Sequence, residues 1–254
     1  MEDLKSLLTN LVPPRRIDST SETESTLIKQ KAHSYHDTIY SGIIHPDNED
    51  CSFCIEDQKY FTEHRHSIRR KVVGLPTVER TFATFKPRQG LAPAIRLCKE
   101  FCDNMEGFLI LYGGSGVGKS HLLQAIGEQL VDSTISLRYT TVDNLLSGWR
   151  SLFSSNEDQM VSFETSFTSY AQIDLLLLDD LGSEKPSEWS ISTLTRLIDT
   201  RQSNGNKSTC LTTNQNDLQL EKAMGTRIAD RIYSQDNKIV VIDAPSYRRK
   251  RFTI

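Results

Sequence analysis

One stretch indicates the fold of this 254-residue chain: Phe108-Leu-Ile-Leu-Tyr-Gly-Gly-Ser-Gly-Val-Gly-Lys-Ser120. Its first five residues are apolar and predict a buried strand, and Gly113–Ser120 match the pattern G-x-x-x-x-G-K-[ST]. Four glycines in eight residues let the backbone wrap closely around phosphates, so that N–H groups and a helix N-terminus meet the negative charge. The stretch therefore predicts a strand, a phosphate-binding loop and a helix that starts near Gly118.

A second apolar run ends in two carboxylates, Asp179 and Asp180. The run Ile173–Asp179 predicts a buried strand, and open α/β sheets bind ligands at the carboxyl ends of their strands. Asp179 is the expected partner of a Mg²⁺ shell shared with the Ser120 hydroxyl, and Asp180 is placed to orient or deprotonate an attacking water. Paired acids after a strand also cap helices, but the upstream phosphate-binding loop favours the nucleotide interpretation.

Alternating strands and helices extend over most of the chain from about Thr81. A helix is predicted for Pro93–Met105, and further strands for Ile135–Thr140, Ser208–Thr213 and Lys238–Ile242. Connections of helix length indicate parallel strands, because a hairpin needs only a few residues. We predict an α/β fold with a five-stranded, mainly parallel sheet over residues 76–254, preceded by a smaller region over residues 1–75.

Composition excludes several classes of protein. Lys and Arg total 30 against 33 for Asp and Glu, a net charge of −3, and 37% of residues are hydrophobic. The chain is thus neither strongly basic nor composed like a disordered protein, and any nucleic-acid contact must come from local basic patches. An acidic N-terminus, no long apolar stretch and five cysteines predict a cytoplasmic protein without a membrane span.

Two later segments carry polar groups in the order expected of a nucleotide hydrolase. Asn214 ends the run Leu211-Thr-Thr-Asn, where its amide can contact water or the terminal phosphate; ordinary turn chemistry is the alternative. Arg227 and Arg231 lie four residues apart, which places both on one helix face. They are either surface salt-bridge partners, for example of Asp230, or arginine fingers that reach a neighbouring subunit's nucleotide.

In this order the motifs resemble the AAA+ ATPases, most closely the DnaC-type helicase loaders, with IstB-type transposition ATPases next. Further points of resemblance are Thr81-Phe-Ala-Thr-Phe85, Asp199-Thr-Arg201 and Ser246-Tyr-Arg248. The resemblance implies an AAA+ core without a C-terminal lid, since only 23 residues follow Arg231, and it makes Asn214 the sensor residue. It also implies Arg231 as a finger in trans, assisted by Arg227. Asp180 stands where loaders commonly have Glu, so slow hydrolysis is expected.

The resemblance further implies ATP and Mg²⁺ as ligands, and a replicative DnaB-type hexameric helicase, single-stranded DNA and copies of this chain as partners. The expected function is ATP-dependent loading of that helicase onto single-stranded DNA, and the alternative is an IstB-like helper of a transposase. Residues 1–75 would bind the helicase. The ATP contacts would come from the phosphate-binding loop and its neighbours: Gly113, Gly114, Ser115, Gly116, Val117, Gly118, Lys119, Ser120, His121 and Arg227.

Two groups of residues yield less specific predictions. Arg150, Arg248 and Arg249 are candidate phosphate contacts for DNA, and aromatic residues near Arg150, such as Trp149 and Phe163, are either stacking platforms or core. Cys51 and Cys54, followed by His64 and His66, offer zinc ligands, with His45 as an alternative fourth ligand. Their spacing is not that of a standard zinc finger, and the basic residues around His66 are an alternative DNA contact.

Overall fold

The computed structural model describes residues 64–88, 90–152, 157–182, 186–205 and 207–248. By its internal contacts the chain divides into residues 1–72 and 73–254. Of the first unit, residues 64–72 are described and form a helical stretch. None of the described helices is both long and apolar enough to cross a membrane.

The second unit alternates helices with strands from residue 92 onwards. Its helices are α1 (Ala92–Asn104), α2 (Lys119–Leu130), α3 (Val142–Leu152), α4 (Glu157–Gln172), α5 (Glu188–Ser203), α6 (Asp217–Met224) and α7 (Thr226–Ile232). Its strands are β1 (Phe108–Gly113), β2 (Leu137–Thr141), β3 (Leu175–Leu181), β4 (Ser208–Thr213) and β5 (Lys238–Ile242). Within the described residues that follow β5, 243–248, there is no helix or strand.

The five strands form one parallel sheet in the order β2-β3-β4-β1-β5. This confirms the predicted α/β fold, and the predicted bounds of β4 and β5 are those observed. Strand β1 lies between β4 and β5, with β3 on the far side of β4. Because all the carboxyl ends lie along one edge, the loops after β1, β3 and β4 meet there.

Alternate residues of the central strands supply two separate cores. Leu109 and Leu111 of β1 belong to one cluster, with residues of α1 and α2, whereas Phe108 and Ile110 belong to the other, with residues of α3 to α7. This follows from the two-residue period of a strand, which sends successive side chains to opposite faces of the sheet. The sheet is therefore buried on both faces, which explains the nearly continuous apolar runs in β1 and β3.

Candidate nucleotide-binding site

The glycine-rich loop after β1 has a backbone that only glycine adopts without strain. Gly116 and Gly118 have φ of 77° and 108°, in the region that disfavours residues with a Cβ. A Cβ at Gly118 would lie 2.8 Å from the Phe85 ring. Gly118 directly precedes α2, so its conformation turns the chain from the loop into the helix whose N-terminus faces the phosphate site.

Lys119, the first residue of α2, joins the loop to the end of β4. Its Nζ donates to the carbonyl oxygens of Gly113 (2.8 Å) and Gly114 (2.7 Å), and also to Oδ1 of Asn214. The side chain is 6% exposed. Burial lowers the pKa of the Lys119 ammonium, and the charges of Asp180 and Asp179 act in the opposite direction. Three predicted site residues therefore lie close together: Lys119 contacts Asn214 and interacts electrostatically with Asp180.

Asp179 accepts hydrogen bonds from three hydroxyl groups on three different elements. Its Oδ1 accepts from Ser120 of α2 (3.0 Å) and from Thr212 of β4 (2.6 Å). Its Oδ2 accepts from the hydroxyl of Tyr139 on β2 (2.7 Å). The aspartate is only 5% exposed, so these bonds replace solvent around a buried carboxylate. Ser120 and Asp179, the two residues predicted to share a Mg²⁺ shell, are therefore in direct contact in the structure.

An irregularity in β3 separates the roles of the two acidic residues. The pairing of β3 with β4 shifts between Leu178 and Leu181, and Asp180 has a φ of 64°. Its N–H donates to Thr212 Oγ1 (2.8 Å), while its Oδ1 lies 3.4 Å from the Asn214 amide nitrogen. A bulge of this kind re-aims side chains at a strand end. Asp179 consequently points into the buried network and Asp180 toward the side of Asn214.

A cavity of about 310 Å³ opens beside the loop and has aromatic as well as cationic walls. Phe85 packs edge-on against His121 (5.0 Å between ring centroids) and Tyr247 (6.1 Å). His121 Nε2 lies 2.9 Å from the carbonyl oxygen of Thr81, which ties the segment before α1 to α2. The lining comprises Arg80, Thr84, Phe85, Lys86, Gly116, Gly118, Lys119, Ser120, His121, Tyr247 and Arg248.

The residues of this site fit a nucleoside triphosphate with a divalent cation. Glycines without a Cβ, the N-terminus of α2 and Lys119 are suited to phosphates, while the apolar surface of Phe85 is suited to the rest of a nucleotide. A carboxylate and a hydroxyl, here Asp179 and Ser120, are the oxygen ligands that Mg²⁺ takes in such sites. Mg²⁺ would there neutralise phosphate charge.

Arg248 and the arginine pair of α7 occupy different places. Arg248, predicted as a DNA contact, lines the cavity, and its charge lowers the pKa of Lys119; Arg249 lies outside the described residues. Arg227 and Arg231 are absent from the lining of that cavity. Both instead form ion pairs with Asp199 of α5, at 2.6 Å and 2.9 Å. Asp199 is therefore the salt-bridge partner of both arginines, and Asp230 is not the partner in these two ion pairs.

The predicted DNA-binding aromatic residues lie mostly in the core. Trp149 is 1% exposed and packs against Phe163, Phe167 and Tyr170, with ring centroids 5.5 to 5.9 Å apart. Trp149, Phe163 and Phe167 are therefore core residues, as the second of the two alternatives predicted, and Tyr170 is partly buried beside them. Arg150 is exposed, with its guanidinium 5.5 Å from the centre of the Trp189 ring. It remains a candidate phosphate contact.

Part of the predicted zinc site can be placed. Cys51 and Cys54, and the alternative ligand His45, lie outside the described residues. His64 and His66 lie in the helical stretch 64–72, and two positions along a helix are about 200° apart around its axis. Joint binding of one ion by both would therefore require that stretch to change. The zinc site stays a prediction.

Sequence reasoning assigned no site role to several residues found here, although Phe85, Thr212 and Tyr247 stand in segments noted above. Tyr139, Thr212, Phe85 and Tyr247 belong to no phosphate-binding pattern, and only the sheet order brings β2 and β4 beside Asp179.

Arg201, within the Asp199-Thr-Arg segment, is 1% exposed and donates to the carbonyl oxygens of Tyr170, Ala171, Ile173 and Ser208. Its role is therefore structural: it joins the carbonyl end of α4 to the start of β4.

Comparison with known proteins finds helicase loaders among the similar chains. Replicative helicase loader DnaC of Buchnera aphidicola subsp. Schizaphis graminum is 28% identical over 162 residues, 64% of this chain and 64% of that protein. DnaC of Escherichia coli K12 is 28% identical over 160 residues, 63% of each chain. The matched region thus spans less than two thirds of the length of these relatives.

Solved structures show the same fold. A DnaC helicase loader superposes with a TM-score of 0.52 at 25% identity, covering 65% of this chain and 97% of that one. DnaI gives a TM-score of 0.55 at 23% identity, covering 70% and 93%. The family model described as "IstB-like ATP binding protein" matches residues 71–253, which include every part of the nucleotide site. The chain belongs to the IstB-like ATP-binding protein family of AAA+ domains, as its motifs had indicated.

Proposed function

We propose that this chain is an ATPase of the helicase-loader type, which binds a replicative hexameric helicase and places it on single-stranded DNA. The observation that carries the ATPase part is a hydrogen-bonded network that joins Lys119 and Asn214 to Ser120 and Asp179. The connection runs through Asp180 and Thr212. Such a network holds its groups in fixed positions, which is what stabilisation of a phosphoryl-transfer transition state requires.

Each residue of the network has a role in hydrolysis. Lys119, which now donates to two carbonyl oxygens, would donate instead to β- and γ-phosphate oxygens. Ser120 and Asp179, which contact each other, would hold the Mg²⁺ that neutralises phosphate charge. Asp180 takes the proton of the attacking water or orients that water, and Asn214, which contacts both Lys119 and Asp180, relays the presence of the terminal phosphate. Because Asp reaches less far than Glu, turnover by the isolated chain is slow.

Arg231, with Arg227, acts on the nucleotide of a neighbouring copy. Support comes from their position: both are exposed, by 49% and 73% of the side chain, and neither lines the cavity beside Lys119. A planar cation that remains charged throughout the physiological pH range is suited to offset charge in the transition state. Hydrolysis then depends on assembly into a homo-oligomer, and ATP works as a switch between assembled and released states.

The partner assignment rests on the relatives named as replicative helicase loaders. Residues 1–75 are the proposed helicase-binding region, with zinc as their proposed stabilising ion, and the protein acts in the cytoplasm. Arg150 is the proposed contact to single-stranded DNA, together with Arg248 and Arg249. Arg248 would serve DNA only when its guanidinium leaves the nucleotide cavity.

A second candidate is an IstB-like helper ATPase of a DNA transposase, because the matching family model is described as "IstB-like ATP binding protein". The two functions share the ATPase core and differ in their partner. Size-exclusion chromatography with light scattering separates them, using the full-length protein and the replicative helicase of the same source, with and without ATP. Co-elution that is lost on deletion of residues 1–75 supports the loader. If no complex forms under any nucleotide condition, the loader proposal fails and the transposase becomes the partner to test.

A further inference from the structure

The hydroxyl of Tyr139 contacts the oxygen of Asp179 that Ser120 does not use. We infer that Tyr139 is a positioning residue for the Mg²⁺ shell, because its hydrogen bond fixes the rotation of the Asp179 carboxylate and keeps Oδ1 directed at Ser120. This inference rests on the proposed function, which gives Ser120 and Asp179 to Mg²⁺. It adds a residue of β2, outside the phosphate-binding loop and the strand that carries Asp179.

The carboxylate of Asp179 would otherwise be fixed at one oxygen alone. Ser120 and Thr212 both donate to Oδ1, so neither restrains Oδ2. The Tyr139 hydroxyl is the described donor to Oδ2, at 2.7 Å. One hydrogen bond at each oxygen defines the plane of the group, which two bonds to a single oxygen do not.

Tyr139 is itself held rigidly. Gln124 of α2 donates to the tyrosine hydroxyl at 3.1 Å, and the tyrosine N–H donates to the Val73 carbonyl at 2.7 Å. Tyr139 is 7% exposed and Gln124 is 4% exposed, so neither side chain exchanges these contacts for bulk water. The tyrosine carbonyl faces Gly74, where an added Cβ would lie 2.5 Å from its oxygen. A rigid donor transmits its position to the carboxylate that it contacts.

In the contact between the two side chains the Tyr139 hydroxyl is the donor and Oδ2 of the Asp179 carboxylate is the acceptor. Partners of metal-binding carboxylates commonly change metal affinity by about 10- to 100-fold when they are removed.

The test compares Tyr139→Phe with the wild-type full chain and with Tyr170→Phe. Tyr170 packs beside Trp149, so its variant makes the same chemical change in the aromatic cluster. Calorimetry with a non-hydrolysable ATP analogue, repeated over a series of free Mg²⁺ concentrations, gives the Mg²⁺ concentration that half-restores tight binding. We expect Tyr139→Phe to raise this midpoint about 10-fold. Affinity measured in excess EDTA should be unchanged, and Tyr170→Phe should match the wild type.

Two results would overturn the inference. An unshifted Mg²⁺ midpoint in folded Tyr139→Phe would show that the hydroxyl does not position the carboxylate. Equal weakening in EDTA and in Mg²⁺ would show general damage to the cavity. Failure of the proposed function looks different, because the wild-type protein itself would then bind the analogue without any dependence on Mg²⁺.

A second variant covers the case in which Tyr139→Phe does not fold. Gln124→Met removes the donor to the tyrosine hydroxyl and leaves that hydroxyl in place. We expect the Mg²⁺ midpoint to rise by a smaller factor, about threefold. The hydrogen bond from Gln124 to Tyr139 is lost, but the one from Tyr139 to Asp179 is kept. A folded Gln124→Met protein with the wild-type midpoint would contradict the inferred chain from Gln124 through Tyr139 to Asp179.

Discussion

Asp179 and Asp199 each gather several polar side chains, but they do so in different surroundings. Asp179 is buried and accepts hydrogen bonds from the hydroxyls of Ser120, Thr212 and Tyr139. Asp199 lies near the surface, where two largely exposed arginines pair with it. Hydrogen bonds to a buried charge hold one geometry because leaving them unmade costs about 1–3 kcal/mol or more. Exposed ion pairs contribute only about 0–1 kcal/mol and break easily.

Under the proposed function, this difference separates nucleotide binding, which one chain would perform alone, from hydrolysis, which would need a second chain. The residues around Asp179 all belong to one chain, so nucleotide binding should need no partner. The two arginines pair with Asp199 at the surface, where ion pairs are weak. In the proposed assembly, a neighbouring triphosphate, with more charge than a carboxylate, would take Arg231 from Asp199.

The largest expected effect is on the rate of ATP hydrolysis and concerns the exposed arginine pair, Arg227 and Arg231. Arg231→Ala should lower ATP hydrolysis by the assembled protein about 1,000-fold, as loss of an arginine finger does, and leave ATP affinity nearly intact. Turnover assays and binding assays on the same preparation measure the two quantities. Arg196→Ala is the matched control, since Arg196 is similarly exposed and pairs with Glu164.

Mixing experiments sharpen this prediction. When the two variant proteins are mixed, Arg231→Ala supplies an intact Asp180 and Asp180→Asn supplies an intact Arg231. Mixed assemblies should therefore regain part of the ATP hydrolysis that each variant lacks alone. Wild-type turnover in Arg231→Ala would exclude the finger role. An absence of recovery in the mixture would contradict action across a subunit interface.

The next effect is on the buried network. Lys119→Ala should weaken ATP binding at least about 100-fold, because each hydrogen bond from a charged group to phosphate contributes about 1.5–3 kcal/mol. Titration calorimetry of the free chain measures this affinity. Lys222→Ala, an exposed lysine on α6, is the control and should bind ATP like the wild type. Unchanged affinity in Lys119→Ala would refute the phosphate-binding assignment.

The smallest effect concerns a second exposed arginine. Arg150→Ala should reduce the salt dependence of single-stranded DNA binding, lowering the slope of log K against log salt by about 0.7 for one lost phosphate contact. Fluorescence anisotropy over a salt series gives that slope. Arg96→Ala removes an exposed arginine on α1 that pairs with Glu100, and it should leave the slope unchanged. Equal slopes in Arg150→Ala and wild type would remove Arg150 from the DNA contacts.

The fold was largely predictable because its central strands, β1, β3 and β4, are buried on both faces. Such strands have continuous apolar runs, as in Leu175–Leu178, which stand out against the polar helices and loops. Strand register and β-bulges are harder to predict from the sequence than the strands themselves. The predicted strand Ile173–Asp179 is observed as Leu175–Leu181, because the bulge lets the strand continue past both aspartates.

Trp149 and Arg150 illustrate where pattern alone fails. They are adjacent in sequence, and an aromatic beside a cation is typical of a nucleic-acid contact. The rotation of α3 buries Trp149 among Phe163, Phe167 and Tyr170 and leaves Arg150 exposed. Because adjacent helical residues point about 100° apart, the packing of α3 determines which of the two is accessible.

Four features could be predicted from local patterns in the sequence: the phosphate-binding loop, the strand ending in two carboxylates, Asn214 and the spacing of the two arginines. The groups that surround Asp179 depend instead on the tertiary structure. Tyr139, Thr212 and Ser120 are far apart in sequence, and their hydroxyls converge because β2 and β4 flank β3 in the sheet and α2 follows the loop after β1. The same holds for Asp199, whose partners Arg227 and Arg231 meet it through the packing of α7 near α5. Strand order and helix packing depend on contacts summed over the whole core, and no short stretch of sequence encodes them.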